Sequence, residues 1–155
     1  MNPISVSEAF SNAPPRSPAV LCLKGPDGAT DMILTDWFTW LNIRRNPMIS
    51  FSMQRNASLG ANLKEGDSFV LAFPTTSVAL KYKQGVRTAA EGQEKKLPDG
   101  VEPVAVDGLP MLIPKNSEVV LRCTLAGAYN YPFKKVRIFN CNLEEALGSQ
   151  DSLLD

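Results

Sequence analysis

Met48-Ile49-Ser50-Phe51-Ser52-Met53, running on into Gln54-Arg55-Asn56-Ala57-Ser58, is the stretch on which the fold turns. Its first half alternates apolar and small polar residues, the period-2 pattern of a half-buried strand. Its second half holds helix-start chemistry, because the side chain of Asn56 or Ser58 can accept a hydrogen bond from an orphan backbone N–H of a first turn. Leu59 and Leu63 would then share one helix face, and Gly66 would end it. A strand feeding a short helix can belong to several fold classes, so the flanking segments decide.

Upstream, residues 19–23 (AVLCL) form a short apolar strand, and Gly25-Pro26-Asp27-Gly28 has the residue order of a type I turn. Residues 30–40 are rich in Thr, Ile, Trp and Phe, so these two strands form a hairpin. Arg45-Asn46-Pro47 breaks the pattern before Met48. Downstream, residues 68–73 (SFVLAF) read as a strand stopped by Pro74. Residues 76–84 read as a poorly periodic helix, and 85–100 as a long loop with no apolar period. Strand fragments follow at 101–106 and 111–113, then strands at 118–126 and 135–141. The chain before this is read as an arm, residues 1–17, with a short helix in SVSEAF. From residue 143 onward we expect one helical turn and an acidic end, with 146–155 as a tail.

The tally is about seven strands and two or three short helices, with turn signals at intervals of roughly 8–12 residues. The fold class is therefore mainly β: a β-barrel or sandwich with a few short helices, not a parallel βαβ sheet. The 155 residues suit one domain, 1–155, with one core.

Composition removes whole classes of chemistry. The chain contains no histidine, which excludes Ser-His-Asp and Cys-His catalysis and histidine-ligated metal; no metal site is expected. Sixteen basic residues balance sixteen acidic ones, without the basic excess of a nucleic-acid binder. No apolar run approaches the ~20 residues of a membrane span. Cys22, Cys123 and Cys141 lack CxxC spacing, and the first two lie inside apolar runs, so buried strand thiols are expected. A cytoplasmic location follows from that reading and from an N-terminal stretch unlike a secretion signal.

Neither a Rossmann GxGxxG nor a P-loop occurs. Asp31 and Asp36 are five positions apart on a strand-like segment, which sends them to opposite faces. Asp36, between Thr35 and Trp37, is either a solvated strand end or a site carboxylate. Gln54-Arg55-Asn56-Ala57-Ser58 offers a guanidinium, amides, a hydroxyl and free helix-start N–H groups. That set suits a phosphate; equally, it suits a capped helix with a surface Arg.

Taken in order, these segments resemble the flavin reductase-like domain family. That family has a segment Asn-x-Met-Thr-x-Ser-Trp, a loop with Asn-Pro-Pro, an apolar strand, an Arg/Ser/Thr-rich phosphate loop, a short helix and Gly-x-Phe-x-Val-Asn. The corresponding stretches are Asp31-Met32-Ile33-Leu34-Thr35-Asp36-Trp37, Arg45-Asn46-Pro47-Met48-Ile49, Gln54 to Ser58, and Gly66-Asp67-Ser68-Phe69-Val70-Leu71. Pro114 with Leu121-Arg122-Cys123 matches the late Pro…Leu-Glu-Cys strand. The family's Asn, Thr and Ser are replaced by Asp31, Leu34 and Asp36. Its long-loop Ser-Gly and Lys-Phe are replaced by Gly85-Val86-Arg87 and Lys95-Lys96-Leu97, and its late-strand His is absent.

The resemblance implies an FMN-binding split β-barrel that forms a homodimer and moves electrons from NAD(P)H or a protein donor. It places FMN against Ile33, Leu34, Thr35, Asp36 and Trp37, with the phosphate near Gln54, Arg55, Asn56 and Ser58. The flavin itself carries the redox chemistry, so no catalytic side chain is expected. The alternatives are a barrel that holds flavin without turnover and a flavin-free dimeric barrel with a binding role.

Overall fold

The computed structural model describes residues 1–14, 17–54, 63–132 and 135–149. The described elements, in order, are β1 (Asn2–Ile4), α1 (Val6–Asn12), β2 (Val20–Lys24), β3 (Thr30–Leu34), β4 (Trp37–Asn42), β5 (Met48–Gln54) and β6 (Ser68–Phe73). Then come α2 (Thr76–Ala79) with a 3-10 turn at Leu80–Tyr82, β7 (Val86–Arg87), β8 (Pro103–Val104), β9 (Ile113–Pro114), β10 (Val119–Asn130) and β11 (Val136–Gly148).

One nine-stranded sheet runs β4-β5-β11-β10-β6-β2-β3-β7, with β1 added alongside β11; β8 and β9 form a separate ribbon. Every pairing is antiparallel. The fold class is mainly β, as expected, and the sheet curls until its two arms meet. The junction between β3 and β4 makes the seam. Thr35 N–H donates to Ala19 C=O, beside β2, and the next N–H, from Asp36, donates to Ser52 C=O on β5. Across the interior, Phe38 on β4 meets Phe73 on β6 edge-on at 4.9 Å.

The interior core holds Leu21, Phe51, Phe69, Leu71, Leu121 and Phe139. Phe51 stacks on Phe139 at 4.9 Å, a contact between neighbouring strands β5 and β11. The opposite face of β2, β6 and β10 is also covered. Val20, Cys22, Val70, Ala72 and Val120 pack there with Ala79, Tyr82, Met111 and Ile113. Burial on both faces explains why AVLCL and SFVLAF read as continuous apolar runs without alternation.

Helix α1 closes one end. Ser5 caps it by accepting the Glu8 N–H at 3.1 Å, Ala9 and Ala13 are buried, and Trp40 Nε1 donates to Ala13 C=O at 2.8 Å.

Three expectations are revised. Residues 30–40 are two strands with the seam between them, because Thr35 and Asp36 take different partners. The helical turn from residue 143 does not form: β11 continues to Gly148, held between β10 and β1. Its Glu-Glu-Ala-Leu run favours helix locally, and sheet pairing overrides that weak preference. Val86–Arg87, expected inside a loop, pairs with Asp31 and Met32 as strand β7. The helix expected from Asn56 or Ser58 lies outside the described residues.

Candidate functional site at the barrel seam

The seam assembles part of the residue set read from the sequence. Asp36 and Trp37 are exposed, and Gln54, at the end of the neighbouring β5, is exposed beside them. Gln54 Nε2 donates to Asp36 Oδ2 at 3.2 Å. The barrel brings together residues eighteen positions apart, and the pair adjoins Trp37, the residue that follows Asp36 in the chain.

Ile33 and Thr35 are turned away. Ile33 is 8% exposed and joins the interior core. Thr35 is buried, and its hydroxyl donates to Ala19 C=O at 3.2 Å. Leu34 is half-buried and packs against the second core. These three can offer a ligand backbone but little side chain. Arg55, Asn56 and Ser58 lie outside the described residues.

The sequence reading missed part of the surface. Ser50 and Ser52 are buried, although the alternation of MISFSM predicts a solvated polar face. Ser52 lies in register between Trp37 and Ile138, and Ser50 between Thr39 and Asn140. Larger neighbours on both strands overshadow the small side chains. Neither hydroxyl has a hydrogen-bond partner among the described residues, and a buried unpaired hydroxyl carries a cost of about 1–3 kcal/mol. Tyr129 on β10, in register with Ile138 on β11, folds its hydroxyl over Gly127. The seam thus borders a face with a floor of serines and glycine and walls of Trp37, Ile138 and Tyr129. The signal was present as period 2, which sets both serines on the face opposite Phe51.

Asp31 does not belong to this face. Arg87 Nη1 donates to Asp31 Oδ1 at 2.8 Å, and Arg87 Nη2 to Asp27 Oδ2 at 2.6 Å. The hydrogen bond from Arg87 holds the Asp27 carboxyl below its ordinary range, helped by the Ala29 N–H. One guanidinium therefore answers two carboxylates, and Asp31 is spent on the β3–β7 junction.

The cysteines are remote from redox or nucleophilic work. All three are buried, and desolvation raises each thiol well above its ordinary pKa. The groups of acidic residues and cysteines that could hold a metal ion number none among the described residues.

No protein-family model and no curated sequence matches the chain. Solved structures do. The NADH:FAD oxidoreductase SgcE6 of Streptomyces globisporus superposes with a TM-score of 0.64 at 14% identity, over 87% of this chain and 76% of that one. The flavin reductase of styrene monooxygenase from Pseudomonas putida gives 0.65 at 10% identity, over 93% and 85%. Flavoredoxin from Methanosarcina acetivorans gives 0.62 at 16%, over 88% and 70%. This chain has the split-barrel fold of the flavin reductases. SgcE6 is also known in complex with NAD and FAD fragments. Among the described residues of the present barrel, no helix is long and apolar enough to cross a membrane.

Proposed function

We propose that the chain is a flavin-dependent oxidoreductase that binds FMN at the seam and takes electrons from NAD(P)H or a protein donor. The observation that carries this reading is the likeness of nearly the whole chain to several flavin reductase structures. The composition of the seam supports it. Trp37 supplies an apolar wall and Gln54 an amide for the polar edge of a flavin ring. Arg55 and Ser58 follow directly on β5, where a phosphate near −2 needs charge and N–H donors.

Bound flavin supplies hydride and electron transfer, so the protein's part is position and electrostatics. Asp36 sets the electrostatics. Its carboxylate beside the ring disfavours added negative charge, which lowers the reduction potential of a flavin there. Gln54 holds that carboxylate in place. The missing histidine is tolerable, because hydride transfer needs no protein base.

The seam face is also the surface on which we place a homodimer. Of the large exposed apolar side chains, Trp37, Leu41, Ile43, Tyr129 and Tyr131 lie on β4, β10 and the turns that follow them, while Met1 and Leu80 lie elsewhere. Three buried, reduced thiols support a cytoplasmic setting.

The test is FMN titration followed by tryptophan fluorescence. Saturable quenching should occur in the wild-type protein and shrink in Trp37→Phe, where Trp40 alone remains. No saturable binding, or undiminished quenching in Trp37→Phe, would contradict the seam site.

A further inference from the structure

A separate cleft lies at the opposite end of β3. Thr30 and Asp36 are separated by roughly 20 Å of extended chain at about 3.3 Å per residue. Beside Thr30 an open cleft of about 760 Å³ lies between the β2–β3 turn, residues 88–97 and residues 103–112. Cavities of roughly 300–1,000 Å³ take small organic ligands, and a bare inorganic anion would leave most of this one empty.

The base of the cleft is built before any ligand arrives. Thr30 and Thr88 are buried. Thr30 N–H donates to Thr88 Oγ1 at 2.8 Å, Thr88 N–H returns to Thr30 C=O at 3.0 Å, and Leu112 N–H donates to Thr30 Oγ1 at 3.0 Å. Two threonines thus stitch three chain segments together. Gly28 lets the fourth approach: its φ is +85°, and a Cβ there would sit 2.9 Å from Glu91 Cβ. Glu91 N–H in turn donates to Asp27 C=O at 3.1 Å.

The lining is mixed. Leu97, Pro103, Pro110 and Leu112 are the larger apolar residues of the lining. Lys95 and Lys96 also line it, with Gln93 and one carboxylate, Glu94. Among the described residues, neither lysine makes an ion pair. In this lining the two lysines outnumber the carboxylate.

We propose that this cleft binds a nucleoside phosphate, with its heterocycle against the leucines and prolines and its phosphate at Lys95 and Lys96. The volume leaves room for more than a phosphate, and the lysines without ion pairs among the described residues favour an anion over a neutral ring. Because the cleft lies away from Asp36 and Gln54, the site stands or falls independently of the seam.

The test is calorimetric titration of the full chain with AMP, adenosine and inorganic phosphate, repeated on the double variant Lys95→Gln/Lys96→Gln. Both lysines are exposed, so the variant should fold, and an unchanged melting temperature checks this. AMP should bind saturably and at least about tenfold tighter than adenosine or phosphate. The double variant should lose roughly tenfold or more for AMP, the scale of one charge-assisted contact, and keep its adenosine affinity within about twofold. FMN binding should not change. The proposal is overturned by absence of saturable AMP binding, by AMP no tighter than adenosine or phosphate, or by equal AMP affinity in the variant. Competition of FMN with AMP for one stoichiometric site would also overturn it.

Discussion

Arg55 is the residue on which the phosphate half of the proposed site depends. A charge-assisted hydrogen bond to phosphate contributes roughly 1.5–3 kcal/mol. At about 1.4 kcal/mol per decade, Arg55→Ala should weaken FMN about 10- to 150-fold. Riboflavin lacks the phosphate, so its affinity should hardly change, and the FMN effect should shrink at high salt. Parallel titrations of both flavins check this: equal losses, or none, would return Arg55 to a solvated surface residue. At this scale the sequence was legible where chemistry is local. It marked Asp36, Trp37 and Gln54, which the seam gathers. It did not separate Ile33 and Thr35, whose side chains turn inward, because a strand's two faces are told apart only by what packs on each. The unpaired hydroxyls of Ser50 and Ser52 were likewise invisible, since their burial depends on Trp37 and Ile138 across the strands.

Strand β7 shows how an element is fixed by contacts that local pattern does not display. Residues 85–100 have no apolar period and read as a loop. Yet Val86 is buried, and Arg87 bridges Asp31 on β3 and Asp27 in the preceding turn. The pH dependence of this clamp follows from Asp27. Its folded pKa is depressed, so its contribution is present above the ordinary carboxylate range and fades as pH falls through and below it. Arg87→Gln should therefore speed limited proteolysis within residues 88–100 at neutral pH. In acid, below the ordinary carboxylate range, the wild-type protein should approach the variant's rate. Equal rates at neutral pH would show that the ion pairs do not hold the segment. The long strands were legible in part for a related reason. Strand β10 was read only to Ala126, where the register slips between Leu125 and Gly127, and β11 only to Cys141. Beyond those points pairing, not local preference, keeps the chain extended: the end of β10 pairs with β11, and the end of β11 with β10 and β1.

For the whole molecule, the exposed side chains of Trp37, Leu41, Ile43, Tyr129 and Tyr131 are the argument for a second copy. A standard interface buries about 800 Å² per partner. Light scattering at micromolar concentration should return twice the 16.9 kDa chain mass, and Trp37→Glu should shift the population towards monomer. A monomeric wild type would remove the dimer. The mainly β fold was legible from strand spacing and turns, and the resemblance of the ordered segments pointed to a split barrel; the closure at Thr35–Asp36 was not legible, because both residues sit within what reads as one strand. Electron transfer is the claim that joins these scales, and anaerobic mixing of the protein with FMN and NADH or NADPH tests it most directly. The account predicts that the flavin absorbance band bleaches faster with protein than with flavin and donor alone, and that Asp36→Asn raises the potential of the bound flavin. A band that bleaches no faster with the protein present, for either donor, would contradict it.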